Sequence, residues 1–124
     1  MSKRVLIAED EPNIVASLEF LMRGDDYDVL VARNGEEALR LAERFRPDLV
    51  LLDVMMPQRS GFEVCRRIRE NPALSDMKIV MLTARGRDVE REKGLRTGAN
   101  AYVTKPFSTK ELMNTVRGLL PSSG

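Results

Sequence analysis

Histidine is absent from this 124-residue chain, and cysteine occurs once. Without histidine there is no Ser-His or Cys-His nucleophile, no histidine-ligated zinc and no phosphohistidine carrier role. The single thiol, Cys65, excludes an internal disulfide and a multi-cysteine metal site. Set between Phe62 and Ile68 in a helix-like segment, it reads as a small buried apolar side chain. Long apolar runs are missing too. The N-terminal VLIA is too short for a signal peptide or a membrane span, so a cytoplasmic location without membrane contact is expected. Neither sign of charge dominates: 20 Lys and Arg stand against 19 Asp and Glu. No basic cluster interleaves with aromatics, which argues against direct nucleic-acid binding. Repeats, low-complexity stretches and linkers are lacking, so residues 1–124 read as one domain around one core.

What is present is an alternation of strand and helix patterns. VLIA (5–8), YDVLVA (27–32), DLVLL (48–52), KIVML (78–82) and AYVT (101–104) read as strands. The third and fourth are nearly continuous apolar blocks, as expected for strands covered on both faces of a parallel sheet. The second alternates and carries Asp28, which suits an edge. Five helical patterns separate or follow the strands. Pro12 opens the first, whose apolar face is Ile14, Leu18, Leu21 and Met22, and Gly24 offers a stop. Asn34 precedes Ala38, Leu41, Ala42 and Phe45, with Glu37 three positions on. Ser60 with Glu63 and Ser108 with Glu111 match capping boxes. The final pattern buries Leu112, Val116, Leu119 and Leu120. Only the fourth is poor: between 85 and 98 its apolar residues are Val89 and Leu95, so it has little to bury and is expected to be the least stable helix. Short links in this order predict a doubly wound parallel α/β sheet with right-handed crossovers.

The chemistry collects where the strands end. Four of the five strand patterns close on Glu9 and Asp10, on Asp53, on Thr83, or on Lys105. In open α/β sheets ligands bind beyond the carboxyl ends of the strands, where the winding reverses. If the first and third strands are neighbours, three carboxylates meet there and repel one another unless a cation is present. A hard divalent ion with oxygen ligands resolves the conflict, Mg²⁺ best of all, with Mn²⁺ as the substitute. Thr83 could then bond a phosphoryl oxygen, Lys105 could give another a positive charge, and Asp53 could act as nucleophile. Each residue alone has an ordinary reading as a turn, cap or surface residue; their fall on one sheet edge sets them apart.

The stretches VLIAEDEP (5–12), PDLVLLDVMMPQRSG (47–61), IVMLTA (79–84) and GANAYVTKPF (98–107) resemble the receiver domains of two-component response regulators, over essentially the whole chain. The resemblance implies a chemotaxis-regulator-like, flavodoxin-like sheet of order 2-1-3-4-5 flanked by five helices, an order that general accounts of this fold already cite for a receiver. It also implies roles: Asp53 as phosphoacceptor; Glu9, Asp10, Asp53 and the Met55 backbone carbonyl around the metal; Thr83, Ala84 and Lys105 around the phosphoryl group. Thr83 and Tyr102 match the family's switch pair, and the bond before Pro106 is expected to be cis. The implied partners are a sensor histidine kinase or histidine phosphotransfer protein as donor, and a downstream protein or output domain as target. Phosphorylation is expected to change the surface of the fourth helix, fifth strand and fifth helix, the poorly anchored fourth helix moving at little cost.

Several positions depart from the family pattern. Glu9 replaces the more usual aspartate. Met55 cannot orient an attacking water, and Arg85 is not acidic, so slow self-dephosphorylation is expected. Asn100 and Ala101 sit where receivers of winged-helix transcription factors carry two aspartates used in dimer salt bridges, so a monomer or a weak phosphorylation-dependent dimer is expected. Two rivals fare worse. An aspartate-nucleophile phosphatase of the haloacid dehalogenase type needs a second acid at Met55. A flavodoxin-like electron carrier would meet repulsion between its phosphate and Glu9, Asp10 and Glu11.

Overall fold

A computed structural model describes residues 3–84 and 98–120. The alternation read from the sequence becomes β1 (Arg4–Ala8), α1 (Pro12–Gly24), β2 (Asp28–Ala32), α2 (Gly35–Phe45), β3 (Leu49–Asp53), α3 (Gly61–Glu70), β4 (Lys78–Ala84), β5 (Ala101–Lys105) and α4 (Thr109–Leu119). The helix expected between 85 and 98 lies outside the described residues, so the described helices number four where five were expected. All four neighbouring strand pairs are parallel and the sheet order is β2-β1-β3-β4-β5.

Each strand's pleat divides its side chains between two cores. Leu6, Ala8, Val50, Leu52, Ile79 and Met81 pack under α2 and α3, against Ala38, Ala42, Val64, Cys65 and Ile68. Val5, Ile7, Leu49, Leu51, Val80, Leu82 and Val103 pack under α1 and α4, against Leu18, Met22, Leu112 and Val116. β1, β3 and β4 are covered on both faces, which explains their unbroken apolar runs. Burying one such Leu or Ile side chain stabilises by about 1.5–3 kcal/mol. Cys65 is buried, as its apolar setting implied.

The helix stops and starts follow local chemistry. Pro12 opens α1, and the Asn34, Ser60 and Ser108 side chains each accept the amide three residues on, at Glu37, Glu63 and Glu111. Gly24 is the last residue of α1, as its place in the sequence suggested, and the chain turns just beyond it at Asp26, whose φ is 66°. Phe45 does not join the core stripe. It is 37% exposed at the end of α2, with the guanidinium carbons of Arg4 and Arg44 5.6 and 5.4 Å from its ring centre. Val15, Leu39 and Met113 take buried places the stripe positions had not included. No helix among the described residues is long and apolar enough to cross a membrane.

Candidate active site

The winding reverses between β1 and β3, and their carboxyl ends carry the acids. One carboxylate oxygen each from Glu9, Asp10 and Asp53 lies within 4.8 Å of the others. Glu9 (1% exposed) and Asp53 (5%) are buried, while Asp10 is exposed. The arrangement costs energy, and nearby donors offset part of it. Lys105 Nζ, carried by the end of β5, donates to Glu9 Oε1 at 2.7 Å and stands 3.3 Å from Asp53 Oδ1. The amides of Asp10 and Glu11 donate to Glu9 Oε2 at 3.1 and 3.2 Å. The Met55 amide donates to Asp53 Oδ1 at 3.1 Å. Each of these bonds favours a charged carboxylate.

The two buried acids divide unequally. Burial, followed by hydrogen bonding and repulsion from Glu9, pushes the Asp53 carboxyl up to about 7 from 3.8, against the pull of Lys105 and the Met55 amide. Burial works on Glu9 in the same sense, but the hydrogen bond from Lys105 and those from its other partners outweigh it and hold that carboxyl below its ordinary value. Burial likewise opposes the charge on Lys105, yet Glu9 and Asp53 raise its pKa above that of a free lysine. The lysine therefore stays a fixed cation over the two acids.

The remaining predicted residues are distributed around this centre. Thr83 is buried and pairs in register with Thr104, and Ala84 pairs with Lys105, so both stand at the same rim. Tyr102 lies lower on β5, level with Met81, half-buried against the core beneath α2 and α3. The Lys105–Pro106 peptide is cis. Met55 extends 66% exposed from the loop after β3. Two clefts open beside the acids. One of about 350 Å³ is lined by Asp10, Val54, Met55, Met56, Pro57 and Ser60; one of about 480 Å³ lies among Glu11, Ile14, Ser17, Lys105, Pro106 and Phe107.

The response regulator receiver domain family matches residues 5–117. This chain belongs to that family. The receiver is 42% identical over 123 residues to the alkaline phosphatase synthesis transcriptional regulatory protein PhoP of Bacillus subtilis, a match covering 99% of this chain and 50% of the relative. The chain thus spans half the length of that relative. A response regulator structure from Chloroflexus aurantiacus superposes with a TM-score of 0.94 at 35% identity, covering 98% of this chain and all of that one. The receiver domain of a Pseudomonas aeruginosa sensor histidine kinase, solved with a magnesium ion in its active-site cleft, gives 0.89 at 32% identity, with the same coverage of both chains.

Two groups had no separate place in the sequence reading, Arg59 beside the site and Arg69 at the opposite, amino-terminal end of β4 and β5. Arg59, in the loop after β3, pairs with Glu36 and, at 3.2 Å, with Glu63. The four-residue step from Arg59 to Glu63 was a readable signal; the partner at Glu36 was not. Arg69 donates to the carbonyls of Gly98, Ser75 and Met77 and to Asn100 Oδ1, which also accepts the Ile79 amide. Asn100 is therefore committed within the chain, to the entry of β5.

Proposed function

We propose that this receiver accepts a phosphoryl group on Asp53 with a divalent cation held beside it, and passes the change to a protein target or output domain. The observation that carries the reading is the convergence of Glu9, Asp10 and Asp53 beneath Lys105. The donor set fits Mg²⁺: three carboxylates and no nitrogen or sulfur ligand make a hard oxygen site. Glu9, Asp10, Asp53 and the Met55 carbonyl would hold the ion, which when bound supplies charge neutralisation for the acids and the incoming phosphoryl oxygens.

In the transfer, a carboxylate oxygen of Asp53 attacks phosphorus. The new O–P bond forms as the bond from phosphorus to the donor's imidazole nitrogen, or to the oxygen of a small acyl phosphate, breaks and the donor keeps the electron pair. Lys105 keeps its charge throughout and faces the oxygens that gain it. Thr83 and the Ala84 backbone stand on the adjacent strand end to receive the phosphoryl group, and Tyr102 follows Thr83 as the second part of the switch. The donor is a sensor histidine kinase or histidine phosphotransfer protein, in the cytoplasm. The match to half of a transcriptional regulatory protein supports an output that acts on transcription. Met55, where a phosphatase would need an acid, supports signalling rather than turnover of foreign substrates.

Intact mass after incubation with acetyl phosphate tests the reading. Addition of one phosphoryl group in Mg²⁺, none in EDTA and none for Asp53→Asn is expected. Uptake by Asp53→Asn, or uptake unaffected by EDTA, would overturn it.

A further inference from the structure

The cleft beside the acids has Asp10 on one side and Val54, Met55, Met56, Pro57 and Ser60 on the other, so the placement of this loop is part of the site. The loop holds one costly feature. Gln58 has φ 75°, at the centre of a three-residue turn in which the Arg59 amide donates to the Pro57 carbonyl at 2.9 Å. A side chain in such a turn is rare and strained, and it persists only where its surroundings over-determine it.

Those surroundings centre on Arg59. Its guanidinium joins Glu36, in the first turn of α2, to Glu63, in the first turn of α3. The Gly35 amide donates to the Pro57 carbonyl at 3.2 Å, and a Cβ on Gly35 would overlap the Arg59 backbone. On the far side the Gly61 amide donates to the Val54 carbonyl at 2.9 Å. The planar fork of arginine suits two carboxylates approached from different elements, which the point charge of lysine does not.

We infer that Arg59 is a positioning residue: by clamping Glu36 and Glu63 it holds the strained turn at Gln58, and this fixes where the loop after Asp53 presents its backbone to the cation. The inference rests on the proposed use of Asp53 with a divalent ion. Arg59 reaches the reacting atoms only through the loop. Removing a group that orients ligands in this indirect way characteristically costs about 10- to 100-fold in metal affinity.

The test is a Mg²⁺ titration of the full chain, read by the Gly61 amide shift, alongside the unfolding midpoint in EDTA. Arg59→Ala should weaken Mg²⁺ binding about 10-fold, with the midpoint in EDTA almost unmoved, and Arg59→Lys should fall between it and wild type. Glu36→Gln should act in the same direction as Arg59→Ala. Adding Gln58→Gly to Arg59→Ala should restore part of the affinity, because glycine adopts positive φ freely. Wild-type affinity in Arg59→Ala, or a loss that tracks unfolding in EDTA, would overturn the inference while leaving the proposed function standing. Failure of the wild type to bind Mg²⁺ would remove both.

Discussion

Replacing Asp53 by asparagine should stabilise the ion-free protein at neutral pH, although it alters a buried position. The magnitude follows from the carboxyl standing near 7 rather than 3.8, chiefly through burial and then through Glu9. At about 1.36 kcal/mol per pH unit, the ionised side chain costs the fold roughly 4 kcal/mol. A buried amide returns about 1–3 kcal/mol of that. Between the two pKa values the folded chain keeps a proton that the unfolded chain has lost, so wild-type stability falls as pH rises from about 4 to about 7 and is level above. Glu9 runs the other way: its lowered carboxyl stabilises above 4.5 and loses that effect on acidification, below the interval of about pH 5 to about pH 8 in which the two proteins are compared. Urea denaturation in EDTA, followed by circular dichroism, reads the difference. The amide contribution cancels between about pH 5 and about pH 8, so the advantage of Asp53→Asn should grow by about 2–3 kcal/mol across that interval. Mg²⁺ should then narrow the gap by stabilising the wild type. A pH-independent difference, or a variant that loses ground as pH rises, would refute the electrostatic reasoning.

Gly61→Ala should destabilise by about 1–3 kcal/mol and abolish phosphoryl uptake, because the added Cβ would collide with the Asp53 carbonyl oxygen and the Val54 Cα; a urea titration and the mass assay check the two effects. Asn34→Ala, which removes the 2.8 Å bond from the Glu37 amide, should cost about 1 kcal/mol in the same titration and leave phosphoryl uptake intact. Met55→Asn should shorten the phosphoryl lifetime, since an amide at this exposed position can orient a water; decay of the phosphorylated mass after donor removal measures it.

The strands were legible because burial on both faces leaves an unmistakable apolar run in β3 and β4; β2, at the edge, is only half-buried along most of its length, in keeping with the exposed Asp28. The N-caps at Asn34, Ser60 and Ser108 were equally readable, being contacts over three residues. Helix faces were less so. Val15 and Met113 lie beside the expected stripes rather than on them, and Phe45 leaves its stripe because two arginines hold it at the surface. For the site, position at a strand end identified Glu9, Asp10, Asp53 and Lys105, since topology alone gathers them. What topology does not encode is pairing between a loop and a distant helix. The Arg59–Glu36 pair spans 23 residues and the Arg69–Asn100 bond 31, and neither has a periodicity to betray it.

The most direct measurement asks where the phosphoryl group goes. After acetyl phosphate treatment, borohydride reduces an aspartyl phosphate to homoserine, which peptide mass spectrometry locates. Homoserine at position 53, formed with Mg²⁺ and missing in EDTA, is the predicted result. Reduction mapped instead to Glu9 or Asp10, or an unmodified position 53 in protein that has gained a phosphoryl group, would contradict it.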